Sequence, residues 1–174
     1  TGTGTATAGL AVGGTPTPTN ANCEIWDGSS WTEVANLNSG RYGLNSAGTS
    51  TDGLVFAGSP EPAGVALTEI WNGSAWTEVG DLNTARMQPG GSGTSTNSAI
   101  AFGGLNHATY HDLTEDWNGS SWSEIADMNT ARFAHGAAGS ATSALAYQGS
   151  IPGGNTQAVE EWSQGTTVRS VDTD

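Results

Sequence analysis

The chain has no lysine and only four arginines, against 17 aspartates and glutamates in 174 residues, giving a formal net charge of −13. Phosphate backbones are held by basic side chains that displace counterions, so nucleic acid is not an expected partner, and neither is an anionic membrane surface. A single cysteine, Cys23, allows no internal disulfide. No apolar run approaches the ~20 residues that span a bilayer, so no membrane insertion is expected, and no signal segment is visible. Thr1 stands where an initiator Met would, which leads to the expectation of a removed upstream segment. Tyr and Phe are sparse at three each, whereas Trp occurs seven times.

The tryptophans are periodic. Glu24 to Arg41 (EIWDGSSWTEVANLNSGR), Glu69 to Arg86 (EIWNGSAWTEVGDLNTAR) and Glu115 to Arg132 (EDWNGSSWSEIADMNTAR) are near copies, and EEWSQGTTVRSV from Glu160 opens a degraded fourth. The first Trp of each copy falls at 26, 71, 117 and 162, spacings of 45, 46 and 45. A fixed period of this size marks a repeat architecture.

Within the unit, Asp27-Gly28, Asn72-Gly73 and Asn118-Gly119 accept positive φ and predict a two-residue type I′ hairpin turn. Such a turn sets Trp71 opposite Ser74 and Glu69 opposite Trp76. A four-residue loop from Asn72 to Ala75 would instead oppose Glu69 and Glu78, and like charges facing across strands are unfavourable. Alternation puts Glu69, Trp71, Trp76 and Glu78 on one face and Ile70, Thr77 and Val79 on the other. Apolar groups on both faces suit a sheet packed between similar sheets. Asn72-Gly-Ser and Asn118-Gly-Ser are formal glycosylation acceptors, but the turn accounts for them without sugar.

Upstream of each hairpin a second pair of runs recurs: Arg41 to Ser59, Arg86 to Gly104 and Arg132 to Ser150 each give a Gly/Ala-rich run, a Ser/Thr turn and an alternating apolar run. Four short strands per unit of ~45 residues correspond to one blade of a β-propeller. Gly and Ala in the first strand suit the position where blades converge. The expected fold is therefore all-β, one domain over 1–174, with four blades at about 1–36, 41–81, 86–127 and 132–171. It is read as a four-bladed ring or as part of a larger one.

The unit resembles a kelch repeat: a strand ending in Gly-Gly (Ala101-Phe102-Gly103-Gly104), an aromatic strand, then Trp, then a linker running to Arg (Leu82-Asn83-Thr84-Ala85-Arg86). The resemblance covers essentially the whole chain, although the usual aromatic of the third strand is Trp here. His135 resembles the His that often follows Arg in such units and reads as structural. A kelch-like propeller also occurs in galactose oxidase, whose copper site needs a cysteine-crosslinked tyrosine with further Tyr and His ligands. Cys23, Tyr42, Tyr110 and Tyr147 stand in no matching context.

Arg41, Arg86 and Arg132 each follow Glu33, Glu78 and Glu124 by eight residues, and an Arg–carboxylate pair tying linker to blade is the expectation. The adjacent acids Glu115-Asp116 and Glu160-Glu161 fall on opposite faces of a strand and cannot share a substrate. There is no nucleophile elbow or phosphate loop, so no enzyme activity and no cofactor are expected.

The copies diverge in one set of loops: Thr15 to Ala21, Ser59 to Ala66, Leu105 to Asp112 and Ser150 to Gln157. Divergence on a repeated scaffold marks where binding could be fitted. His107, Tyr110, His111, Asp112 and Glu61 are the candidate ligand-binding residues. His107, His111 and Asp112 could be read as metal ligands, but the segment reads as loop and no metal is expected. Composition resembles kelch-like arrays in extracellular fibre, tail and appendage proteins of bacteria and their phages. The resemblance implies an extracellular or virion-surface adhesion module binding a surface glycan or protein. The alternative is a structural building block that self-associates.

Overall fold

The computed structural model describes residues 1–15, 20–60, 63–164 and 169–171, and every regular element among them is a β-strand. The first sheet contains β1 (Gly2–Thr5), β2 (Ala8–Gly14), β3 (Asn20–Trp26) and β4 (Trp31–Val34); the second contains β5 (Asn45–Gly48), β6 (Gly53–Phe56), β7 (Thr68–Trp71) and β8 (Trp76–Glu78). The third is built from β9 (Gly90–Ser95) and β10 (Ser98–Phe102), then, after a small separate hairpin of β11 (Leu105–Asn106) and β12 (Thr109–Tyr110), from β13 (Thr114–Trp117) and β14 (Trp122–Glu124). The fourth follows the same plan: β15 (Gly136–Ser140), β16 (Ser143–Tyr147), a hairpin of β17 (Ser150–Ile151) and β18 (Gly154–Asn155), then β19 (Val159–Ser163) and β20 (Arg169–Val171). Each sheet is an antiparallel meander in chain order, one per sequence unit.

The outer hairpin differs from the expected two-residue turn. Trp71 pairs with Trp76 and Glu69 with Glu78, with a four-residue loop between them, and the first and third sheets do the same. Two effects outweigh the like-charge term. The Asn72 side-chain oxygen accepts the N–H groups of Ser74 and Ala75 at 3.0 and 2.9 Å, with Gly73 at φ 91°, so the loop is built around its first side chain. The indoles of Trp71 and Trp76 also meet across the strands at 5.3 Å. Glu69 is no free charge either, because it is buried in an ion pair while Glu78 faces water.

Consecutive sheets pack face to face through three apolar clusters. Leu10, Val12 and Leu37 of the first unit meet Trp71 and Trp76 of the second. Leu54, Phe56 and Leu82 meet Trp117 and Trp122, and Ile100, Phe102 and Met128 meet Trp162. The first strands β1, β5, β9 and β15 adjoin one another in that order, and here the small residues are required. A Cβ on Gly91 would lie 2.5 Å from the Phe56 ring of the neighbouring sheet.

The arginines lie in these same seams, and their partners correct the sequence-based expectation. Arg41 pairs with Glu69, Arg86 with Glu115 and Arg132 with Glu160, the leading Glu of the following unit, and the pairs to Glu33, Glu78 and Glu124 are not made. Sequence proximity favoured the nearer acid. Packing decides otherwise, because the linker crosses to the next sheet and its guanidinium is enclosed there. Glu69 binds Arg41 at 2.6 Å through one oxygen and accepts the backbone and side-chain N–H groups of Asn38 at 2.8 and 2.9 Å through the other. Glu115 repeats this with Arg86 and Asn83 at 2.6, 2.7 and 2.8 Å.

Candidate functional site

In a four-stranded meander the loops between first and second and between third and fourth strands share one end, and the remaining loops share the other. At the first end the structure repeats closely. Trp71 Nε1–H donates to the Ser50 carbonyl at 3.0 Å and Trp117 Nε1–H to that of Thr96 at 2.7 Å, tying the two loops of each sheet together. In the first unit Asp27 replaces Asn in the same turn. Its carboxyl accepts the N–H groups of Ser30 and Ser29 and the Ser29 hydroxyl, which hold its pKa down to about 2.

The other end carries the arginine linkers and the divergent loops. The backbone positions around each linker stay fixed: the N–H groups of Gly14, Gly58 and Gly104 donate to the carbonyls of Arg41, Arg86 and Arg132 at 3.1, 3.0 and 2.8 Å. Gln88 N–H donates to the Gly43 carbonyl and Ala134 N–H to that of Gln88, a ladder running from unit to unit. Gly43, Gln88 and Ala134 all adopt positive φ, at 61°, 52° and 51°, so one conformation persists at this step whatever the residue.

On that frame stands the β11–β12 hairpin, which carries His107 and Tyr110, leads into His111 and Asp112, and replaces much of the loop expected for Asn106 to Asp112. His107 is exposed at its tip with φ 52°. Tyr110 pairs with Leu105 and sets its ring edge-on to Phe133 at 5.1 Å, half-buried. His111 lies at the foot, not the tip: its N–H donates to the Gly104 carbonyl and its carbonyl accepts the Arg132 N–H, both within the linker frame. Burial lowers the His111 pKa, the Arg86 charge lowers it further, and Asp112 opposes both. The Asp112 carbonyl accepts the Met128 N–H at 2.9 Å. His107 is therefore exposed, Tyr110 is half-buried against Phe133, and the backbones of His111 and Asp112 serve the frame. Glu61 lies outside the described residues. Among the described residues no three His, Cys, Asp or Glu gather as a metal cage.

His135 packs against Phe102 at 6.2 Å in the third seam, with both ring nitrogens buried and unpartnered, and burial followed by the Arg132 charge lowers its pKa to about 4. It is a neutral space-filler between sheets. Glu115 is enclosed with Arg86, and Asp116 on the opposite face has its carboxyl pushed up by burial, so the adjacent acids stay apart.

Two concavities hold none of the candidate ligand-binding residues, although the divergent loop Ser150 to Gln157 borders one of them. One, of about 400 Å³, lies by Gly149, Ser150, Asn155 and Thr156 on the fourth unit; the other, of about 250 Å³, lies by Thr1, Gly14's neighbour Gly13, Glu24 and Glu33 on the first. The sequence signal of the second is the position of Glu24 as the first of a series whose members Glu69, Glu115 and Glu160 are each paired with an arginine. No protein-family model matches this chain, and no curated protein does.

Proposed function

We propose that the chain is a non-catalytic binding module whose four sheets are the blades of a kelch-like propeller, and that the divergent-loop end recognises a surface glycan or protein outside the cell or on a virion. One observation carries this reading. Two of the Arg–Glu–Asn seams repeat to within about 0.1 Å and the third keeps the same kinds of partner in Arg132, Glu160 and Asn129, whereas the loops mounted on them differ in every unit and present His107, Thr109 and Asn155 to water. A frame held so constant beneath loops so varied suits recognition. Polar tips beside a ring such as Tyr110 fit the hydroxyls and apolar faces of a sugar. The test is a glycan array with the 174-residue chain, followed by His107→Ala and Tyr110→Ala. Binding that is lost in both variants supports the reading, and an array without binding overturns its glycan form.

The building-block reading has its own support in Trp31, Leu145 and Tyr147, which are 51%, 39% and 38% exposed. Native mass spectrometry at rising concentration tests it, with discrete multiples of 17.6 kDa expected if the chain self-assembles.

A further inference from the structure

The three internal seams share one composition. The trailing face of one sheet offers a Leu or Ile and a Val or Phe, the linker adds a Leu or Met and an Arg, and the leading face of the next offers a Glu with a Trp pair in the first two seams and with Trp162 alone in the third. Trp71 and Trp76 are 1% and 7% exposed in this setting, and Trp117 and Trp122 are 1% and 5%. The leading face of the first sheet carries the same groups, and no apolar cluster among the described residues covers it. Trp26 and Trp31 pair at 5.5 Å, but Trp31 is 51% exposed, and Glu24, the counterpart of Glu69, is exposed too.

The seat for the arginine is also present and open. A Cβ on Gly58 would lie 3.2 Å from Cδ of Arg41, and one on Gly104 would lie 3.1 Å from Cδ of Arg86. A Cβ on Gly14, the matching position of the first unit, would meet nothing within 4 Å. The concavity beside it has Glu24 and Glu33 on its wall. No apolar cluster among the described residues joins the first sheet to the fourth. Leu145 and Tyr147, counterparts of the buried Leu54 and Phe56, are exposed on the fourth sheet's trailing face.

We propose that the Trp26–Trp31 face, with Glu24, is the receiving half of a fourth seam, built for a partner sheet of this same repeat class that ends in a Leu-Asn-x-x-Arg linker. The partner's Leu/Phe pair covers the two indoles, and its arginine enters the concavity to pair with Glu24. The interface continues a contact made three times within the molecule, and its empty seat is anionic while the missing group is cationic. A second copy of the chain offers Leu145 and Tyr147, but among the described side chains its linker arginines Arg41, Arg86 and Arg132 are all 0% exposed and held in its own seams. The occupant is therefore an arginine-ended unit and not a second copy.

The test supplies that unit by tether, at the millimolar effective concentration a short linker gives. A copy of residues 45–89, placed directly ahead of Thr1, puts its copied Arg86 four residues before Thr1, as Arg86 stands four before Gly90. The register matches, because Thr1 accepts the Val12 N–H where Asn45 faces Phe56. The copy carries Trp71→Ser and Trp76→Ser so that it brings no exposed indoles. Hydroxyl-radical footprinting with peptide mass spectrometry then reads Trp31. Its oxidation is expected to fall about sevenfold, following the 51% exposure of Trp31 and the 7% of Trp76, and to rise again with Glu24→Gln or with Arg→Gln at copied position 86. Thermal unfolding gives an independent reading: Glu24→Gln lowers the Tm of the extended chain and leaves that of the 174-residue chain unchanged. Unchanged Trp31 oxidation in the extended chain, or equal Glu24→Gln effects in both chains, overturns the proposal. So does a dimer of the 174-residue chain in which Trp31 is already protected.

Discussion

Glu69→Gln is the sharpest probe of the seams. The substitution removes one negative charge and replaces one oxygen with an NH2 group, without changing size. Arg41 then keeps its charge at 0% exposure with no counterion, and either Arg41 or the donors of Asn38, now 2.8 and 2.9 Å from an acceptor, face an NH2. Breaking a buried pair from one side costs about 3–5 kcal/mol, most of it the uncompensated charge. For a chain of this length that lowers Tm by roughly 10 °C. The internal control is Glu24→Gln, the same change at the same strand position on an exposed residue, expected within about 0.5 kcal/mol of the parent. Urea titrations followed by tryptophan emission measure both. Arg41→Met in the Glu69→Gln background completes a cycle and is expected to recover part of the loss, since no buried charge remains. If Glu69→Gln proves as mild as Glu24→Gln, the ion pair does not hold the sheets together and the account of the seams fails.

Three further outcomes follow from the packing. His135 has a folded pKa of about 4 against ~6.5 unfolded, so the unfolded chain binds the extra proton between these values; the stability His135 leaves intact above pH 6.5 is lost on acidification towards pH 4, by about 3 kcal/mol, and His135→Leu should flatten that part of a urea-midpoint profile. Gly91→Ala places a methyl 2.5 Å from the Phe56 ring and should destabilise by about 1–3 kcal/mol through overpacking, read as a lower urea midpoint. Thr68→Val removes the hydroxyl that accepts the buried Trp122 Nε1–H at 3.0 Å across the second seam; about 1–3 kcal/mol should be lost, whereas Thr77→Val on the exposed face should be near neutral.

Much of the scaffold is legible in the order of residues. Spacing gives four units, and alternation gives four strands in each with both faces apolar. The Gly/Ala run marks the first strand as the one approached closely by its neighbour. Local chemistry alone does not decide the turn or the ion pairs. Asn72-Gly73 favours a two-residue turn in isolation, yet the capping oxygen of Asn72 and the Trp pair select the longer loop. Arg41 lies eight residues from Glu33 in the chain but binds Glu69, because the linker that carries it passes into the next sheet. The candidate residues divide for a similar reason: Tyr110 and His111 are adjacent in sequence, but β12 ends between them, so the Tyr110 ring meets Phe133 while the His111 backbone joins the linker frame.

Sequence by itself fixes what is periodic here, since hydrophobic patterning and turn preference act over a few residues and repeat with the unit. It also fixes the net charge of −13. Which carboxylate meets each arginine, which His is neutral, and which faces are left uncovered depend on contacts between residues some 28 or more positions apart. Glu24 and Glu69 stand in near-identical sequence, EIWDG and EIWNG. One is exposed and the other is sealed against Arg41, a difference made wholly by whether a neighbouring sheet covers it.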